Sequence, residues 1–149
     1  MRIPTKIWFQ SLSVGVFIFC FNSCGITYND RSYEFQNEVY YRNFAKAATL
    51  IEDNKFLSKK RNRLLYLMEK GKVEHMNGNY KESNHLFEEA YILIDDRINT
   101  NAGQAVAAKL TNPMAAPYKG EDFEKVMIHY YMALNYFQLG MPNEALVEA

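Results

Sequence analysis

From Tyr33 to the end of the chain, apolar residues recur every three or four positions, and no stretch alternates as a strand requires. That feature confines the fold to packed helices. Phe44, Ala47, Ala48 and Ile51 stand at i, i+3, i+4 and i+7, one face of a helix. Leu64, Leu67, Met68 and Gly71 repeat the pattern. Tyr80, Ser83, Phe87, Ala90 and Ile94 make a third stripe, and Phe123, Val126, Met127, Tyr130, Ala133, Leu134 and Phe137 a fourth. Each is expected to face a core. Valine and threonine are sparse in most of these segments, which also favours helix.

The breaks between the stripes agree. Asn77-Gly78-Asn79 stops one helix, because glycine supplies the left-handed conformation that ends it. Gly140 does the same, and Pro142 suits the first turn of the next helix. Asn112-Pro113 and Pro117 mark a loop; Gly120-Glu121-Asp122 then opens a helix with two acids at its positive end. Hydrophobic residues make up 48% of the 149 and charged residues 23%, enough apolar material for one folded domain.

The first 23 residues follow a different logic. Arg2 and Lys6 make a basic start, Ile7 to Phe21 is mostly apolar, and Asn22 and Ser23 precede Cys24. This is the layout of a secretory signal peptide. The apolar run falls short of the roughly 20 residues that span a bilayer, and Gln10, Ser11 and Ser13 interrupt it. Phe21-Asn22-Ser23-Cys24 resembles the lipobox of bacterial lipoproteins, with Phe21 where leucine is favoured. The resemblance implies that Cys24 is lipidated, with palmitate among its acyl chains, and becomes the N-terminus of the mature protein. Gly25 in place of Asp points to the outer membrane facing the periplasm. Gly25 to Ser32 reads as a polar remainder, so residues 24–32 form a tether and 33–149 the folded domain.

With Cys20 removed in the signal peptide, one cysteine remains, so neither an intramolecular disulfide nor a cysteine metal cluster is expected. The formal net charge is zero, which argues against nucleic acid as a partner. The short cluster Lys59, Lys60, Arg61 and Arg63 reads as a solvated helix face.

Two hairpins look alike. Leu67, Gly71, Gly78-Asn79-Tyr80, Phe87 and Ala90 outline the first; Ala133, Tyr136, Gly140-Met141-Pro142 and Ala145 outline the second. Both resemble the tetratricopeptide repeat, a helix-turn-helix of about 34 residues. In that repeat small residues sit where helices cross: Gly71 and Ala133 first, Ser83 and Ala145 next, Ala90 last. Leu67 stands where the repeat has Trp, and Pro142 where it has Tyr. Phe44 precedes Tyr80 by close to one repeat and starts an earlier second helix. The excess before Pro142 falls in an insertion at 98–120, with a short Ala-rich helix at Ala102–Leu110 and the proline-containing loop. The fold expected is all-α: stacked antiparallel hairpins in a tetratricopeptide-like right-handed solenoid. Truncation at the C-terminus is expected as well, because Ala149 falls inside a helical stretch with no capping helix after it. The stretch from about Ala102 onward, with Tyr118 to Lys125 and His129 to Tyr136, also resembles an uncharacterised family of bacterial lipoproteins with such hairpins. That resemblance implies an envelope location and carries no activity.

In tetratricopeptide proteins the first helices line a concave groove. Register places Met68, Lys72 and His75 on it in the earlier hairpin and Tyr130 in the later. Tyr131 and loop Tyr118 are further contact candidates, since tyrosine supplies contact area at low entropic cost. Glu82 and His85, three apart, are one copy of a carboxylate-histidine motif that metal sites need twice, so no metal is expected. His129, with Glu121, Glu124 and Lys125 near in sequence, is the one acid-base candidate; no nucleophile motif or phosphate-binding loop accompanies it. The function expected is a lipid-anchored periplasmic scaffold that binds a protein or peptide, without catalysis or cofactor. The alternatives are a cell-wall factor whose insertion binds peptidoglycan or a wall synthase, with Tyr118 in contact, and a hydrolase-type enzyme centred on His129.

Overall fold

The computed structural model describes residues 27–100 and 117–149, with backbone alone over 97–100. The signal peptide, Cys24 and the Ala-rich helix of the insertion lie outside the described residues. The described chain is all-helical: α1 (Tyr28–Tyr40), α2 (Phe44–Glu52), a 3-10 turn (Lys60–Asn62), α3 (Arg63–Met76), α4 (Tyr80–Thr100), α5 (Asp122–Gln138) and α6 (Pro142–Glu148). None of these helices is long and apolar enough to cross a membrane.

The chain divides into two compact units, Met1–Asp30 and Arg31–Ala149. In the first, the Thr27 N–H and hydroxyl both donate to Asp30 Oδ2 at 2.8 Å, and the Asp30 N–H donates back to the Thr27 hydroxyl oxygen at 3.3 Å, which starts α1 with a reciprocal cap. Tyr28 to Ser32 are therefore helical, where the sequence suggested a tether.

Within the second unit one turn geometry appears three times. At Arg42-Asn43, the Arg42 N–H donates to the Val39 carbonyl at 3.0 Å and the Asn43 N–H to Glu38 at 2.8 Å. Gly78 and Asn79 donate to His75 and Glu74 in the same way, and Gly140 and Met141 to Phe137 and Tyr136. Each closes a helix by satisfying its last carbonyls, and each needs a left-handed residue: φ is 61° at Arg42, 82° at Gly78 and 72° at Gly140. The short turns join α1 to α2, α3 to α4, and α5 to α6. Helix α3 packs on α2 and α4, α4 packs on α5, and α5 packs on α6.

Two clusters make the core. Phe35, Ala47, Ala48, Ile51, Leu57 and Val73 form one. Leu64, Leu67, Phe87, Ala90, Ile94, Ile128 and Met132 belong to the other. Helix α3 serves both, Val73 toward α2 and Leu64 and Leu67 toward α4 and α5. Gly71 lets α3 and α4 approach, since a Cβ there would lie 3.0 Å from the Phe87 ring. The link from α2 to α3 has its backbone satisfied by side chains. Asn54 Oδ1 accepts from the Phe56 and Leu57 N–H groups at 3.0 and 3.1 Å, and Asn62 Nδ2 donates to the Phe56 carbonyl at 2.7 Å. The ion pairs add less: Arg63 and Glu89, 2.6 Å apart, keep 47% and 39% of their side chains exposed, and such pairs contribute about 0–1 kcal/mol.

The first three apolar stripes face the core as expected, with Phe44, Met68 and Tyr80 at their half-buried edges. The fourth does not. Helix α5 buries Ile128, Met132 and Asn135, while Phe123 is 68% exposed, Val126 67%, Tyr130 53% and Phe137 69%. Both sides of α5 are apolar, so helical spacing alone could not choose between them. The packed side is the one that carries Asn135.

Candidate functional site

Asn135 is fully buried and joins three helices. Its amide donates to Ser83 Oγ and to Asn84 Oδ1, both at 2.8 Å. The Ser83 hydroxyl donates onward to the Gly71 carbonyl at 2.8 Å. The two amide hydrogens are thus committed, and Oδ1 faces His75 Nδ1 at 2.6 Å. An amide oxygen only accepts, so Nδ1 bears the hydrogen of this contact.

Beside this network lies a groove between α3 and α5 with Phe87 of α4 at its floor. Met68 and Lys72 line it from α3, Met127 and Tyr131 from α5, around a cavity of about 190 Å³. The aromatic rings are ordered: Tyr131 stacks on Phe87, centroids 5.6 Å apart and planes 13° from parallel, and His75 meets the edge of Tyr131 at 5.0 Å. Three charged groups stand at the rim. Lys72 Nζ is 2.6 Å from Glu69 Oε2. Glu124 accepts from the Glu121 N–H at 2.7 Å and from the Tyr118 hydroxyl, neither of which neutralises it.

The segment before α5 fixes that rim. The Tyr118 N–H donates to the Arg61 carbonyl at 2.8 Å, pinning the segment to the start of α3. Gly120, at φ 74°, turns the chain into α5, and Glu124 closes the helix start by reaching back to Glu121. Burial holds the Tyr118 phenol well above its ordinary pKa of 10.0, and the neighbouring Glu124 carboxylate adds to the shift.

Of the contact candidates read from the sequence, Met68, Lys72 and Tyr131 come together on this groove. His75 is committed at Nδ1 to Asn135 and touches Tyr131. Tyr118 is half-buried with its hydroxyl held by Glu124, which leaves it little freedom as a platform for glycan. Tyr130 does not share the groove; it stands on the exposed side of α5 with Val126 and Phe137, whereas Phe123, 68% exposed, lines the groove. Asn135 gave no sequence signal, since a lone asparagine in a helix reads as a solvated residue.

His129 has other neighbours than expected. Its Nδ1 lies 2.7 Å from Glu148 Oε2 on α6, and Tyr91 meets its ring edge at 5.1 Å. Lys125 pairs instead with Asp122, and Glu124 belongs to the groove rim. His129, Tyr91 and Glu148 border a second, open cleft of about 480 Å³ with Glu88 and Val147. His85 sits 3.3 Å from Glu89, so Glu89 and not Glu82 is its carboxylate partner. Among the described residues no three His, Cys, Asp or Glu side chains are placed to hold a metal ion.

No family model matches the chain, nor does any curated protein or solved structure.

Proposed function

We propose that the protein is a non-catalytic scaffold of the bacterial envelope, anchored through acyl chains on Cys24, that takes a protein or peptide segment in the groove between α3 and α5. The groove carries this reading: Met68, Lys72, Met127 and Tyr131 border a partly apolar opening whose walls are set by the buried Asn135 network. A site on helices tied together by the hydrogen bonds of Asn135, Ser83 and His75 suits binding at low reorganisation cost. Three helix-closing turns of one geometry support a tetratricopeptide-like stack, in which α1, α3 and α5 are the first helices of successive hairpins. The basic start, apolar run and Ser23-Cys24 support export and lipidation.

The test is photo-crosslinking in cells of the full-length gene product, with the reactive residue at Met68 or Lys72 and a control at exposed Lys81, followed by mass spectrometry. One recurrent envelope protein from the groove positions, absent from the control, is the expected result. Adducts equally strong at Lys81, or none at either groove position, would overturn it. Labelling with radioactive palmitate, lost in Cys24→Ser, tests the anchor separately.

A further inference from the structure

We infer that the occupant of the α3–α5 groove is a peptide segment anchored by one aromatic side chain and flanked by lysine or arginine; this rests on the groove being the binding site. Size sets the first part. Pockets for drug-sized ligands run to about 300–1,000 Å³, whereas this cavity is about 190 Å³ and open. It holds one large side chain of a chain that continues past it.

The walls select the kind of side chain. Met68 and Met127 line the opening, and thioether sulfurs favour aromatic rings while their unbranched stems adapt to the ring's outline. His75, Tyr131 and Phe87 already form a run of ring contacts, with Tyr131 stacked on Phe87. A guest ring extends that run edge-on or offset, which favours it over an aliphatic group of equal area.

The rim selects the flanks. Glu69 and Glu124 stand against Lys72, whose ammonium is already 2.6 Å from Glu69. Glu124 is held by a hydroxyl and a backbone N–H, so its charge remains for a cation beside the anchor. An acidic flank would meet two carboxylates across a partly apolar floor, which is unfavourable.

The experiment is fluorescence anisotropy of the full chain with three labelled peptides on one Gly-Ser backbone, carrying Lys-Phe-Lys, Lys-Leu-Lys or Glu-Phe-Glu. The Lys-Phe-Lys peptide is expected to bind about threefold to tenfold more tightly than Lys-Leu-Lys and at least tenfold more tightly than Glu-Phe-Glu. Its binding should be lost in Met127→Lys, a change at a residue already 39% exposed. Equal affinity for all three peptides, or indifference to Met127→Lys, overturns the inference. Failure of all three while Met68 still crosslinks a partner in cells overturns the anchor chemistry and leaves the groove standing. Failure of both overturns the two together.

Discussion

His75 and Asn135 lie 2.6 Å apart, imidazole Nδ1 to amide Oδ1, and that contact ties α3 to α5 at the end of the groove. The same asparagine spends its amide hydrogens on Ser83 and Asn84 of α4, so one side chain sets the relation of three helices. Within this network Asn84 Nδ2 is buried with no hydrogen-bond partner among the described residues, so the cohesion rests on the contacts that Asn135 makes.

Replacing the hub should therefore cost more than breaking any exposed ion pair. Asn135→Leu leaves the His75 donor and the Asn84 oxygen without their partner and is expected to lose about 2–4 kcal/mol of stability. Glu89→Ala, which removes the exposed pair with Arg63, should lose about 0–1 kcal/mol. Urea unfolding midpoints of the two variants measure the difference, and equal losses would contradict the role given to Asn135.

Arg42 occupies the left-handed position that glycine holds in the other two turns. A Cβ in that conformation costs about 1–2 kcal/mol, partly offset by the freedom glycine has when unfolded. Arg42→Gly should thus stabilise the protein by about 0.5–1 kcal/mol, and Gly78→Ala should destabilise it by about 1 kcal/mol. No atom lies within 4 Å of a Cβ at Gly78, so the second effect is conformational and not steric. Thermal unfolding should show the two melting temperatures moving in opposite directions.

The packed face of α5 makes a separate prediction. Ile128 is 2% exposed and Phe137 69%. Ile128→Ala is expected to cost about 2–4 kcal/mol through the lost methyl groups and the cavity left behind, while Phe137→Ala should change stability by less than about 0.5 kcal/mol. If Phe137 proved the costlier site, the helix would be rotated from the arrangement described.

Tyr118 should set part of the alkaline limit. Its folded pKa is raised by burial, with the Glu124 hydrogen bond next, while the unfolded phenol ionises near 10.0. Below that value the group contributes its full share. As pH rises past 10.0 the unfolded chain releases a proton that the folded one keeps, and stability falls. Denaturation midpoints at pH 8 and pH 10.5 should therefore drop more in the unaltered chain than in Tyr118→Phe, and parallel drops would remove Tyr118 from the account.

These residues also show what could be read before the fold was known. The all-helical class and the core faces of α2 and α4 follow from apolar spacing; for α3 the stripe of Leu64, Leu67 and Gly71 is legible, but Val73, which packs into the other cluster, lies off it. Turns at Gly78 and Gly140 announce themselves through glycine; the turn at Arg42 does not, since nothing in an arginine signals a left-handed backbone. Helix α5 misleads because Phe123, Val126, Tyr130 and Phe137 form a better stripe than the side that packs. Register places Met68 and Lys72 on the groove but also His75 and Tyr130, which do not line it; Tyr131 lines it instead, and Phe87, Phe123 and Met127 enter it from positions that spacing assigns to the core. The pairing of His129 with Glu148 joins two helices and leaves no local trace in the sequence.

The central claim is that the α3–α5 groove receives the partner segment. Hydrogen exchange of the full chain, with and without the Lys-Phe-Lys peptide, tests it most directly. The account predicts added protection on α3 around Met68 to His75 and on α5 around Glu124 to Tyr131, with α2 unchanged. Protection confined instead to the cleft of Tyr91, His129 and Glu148 would contradict it.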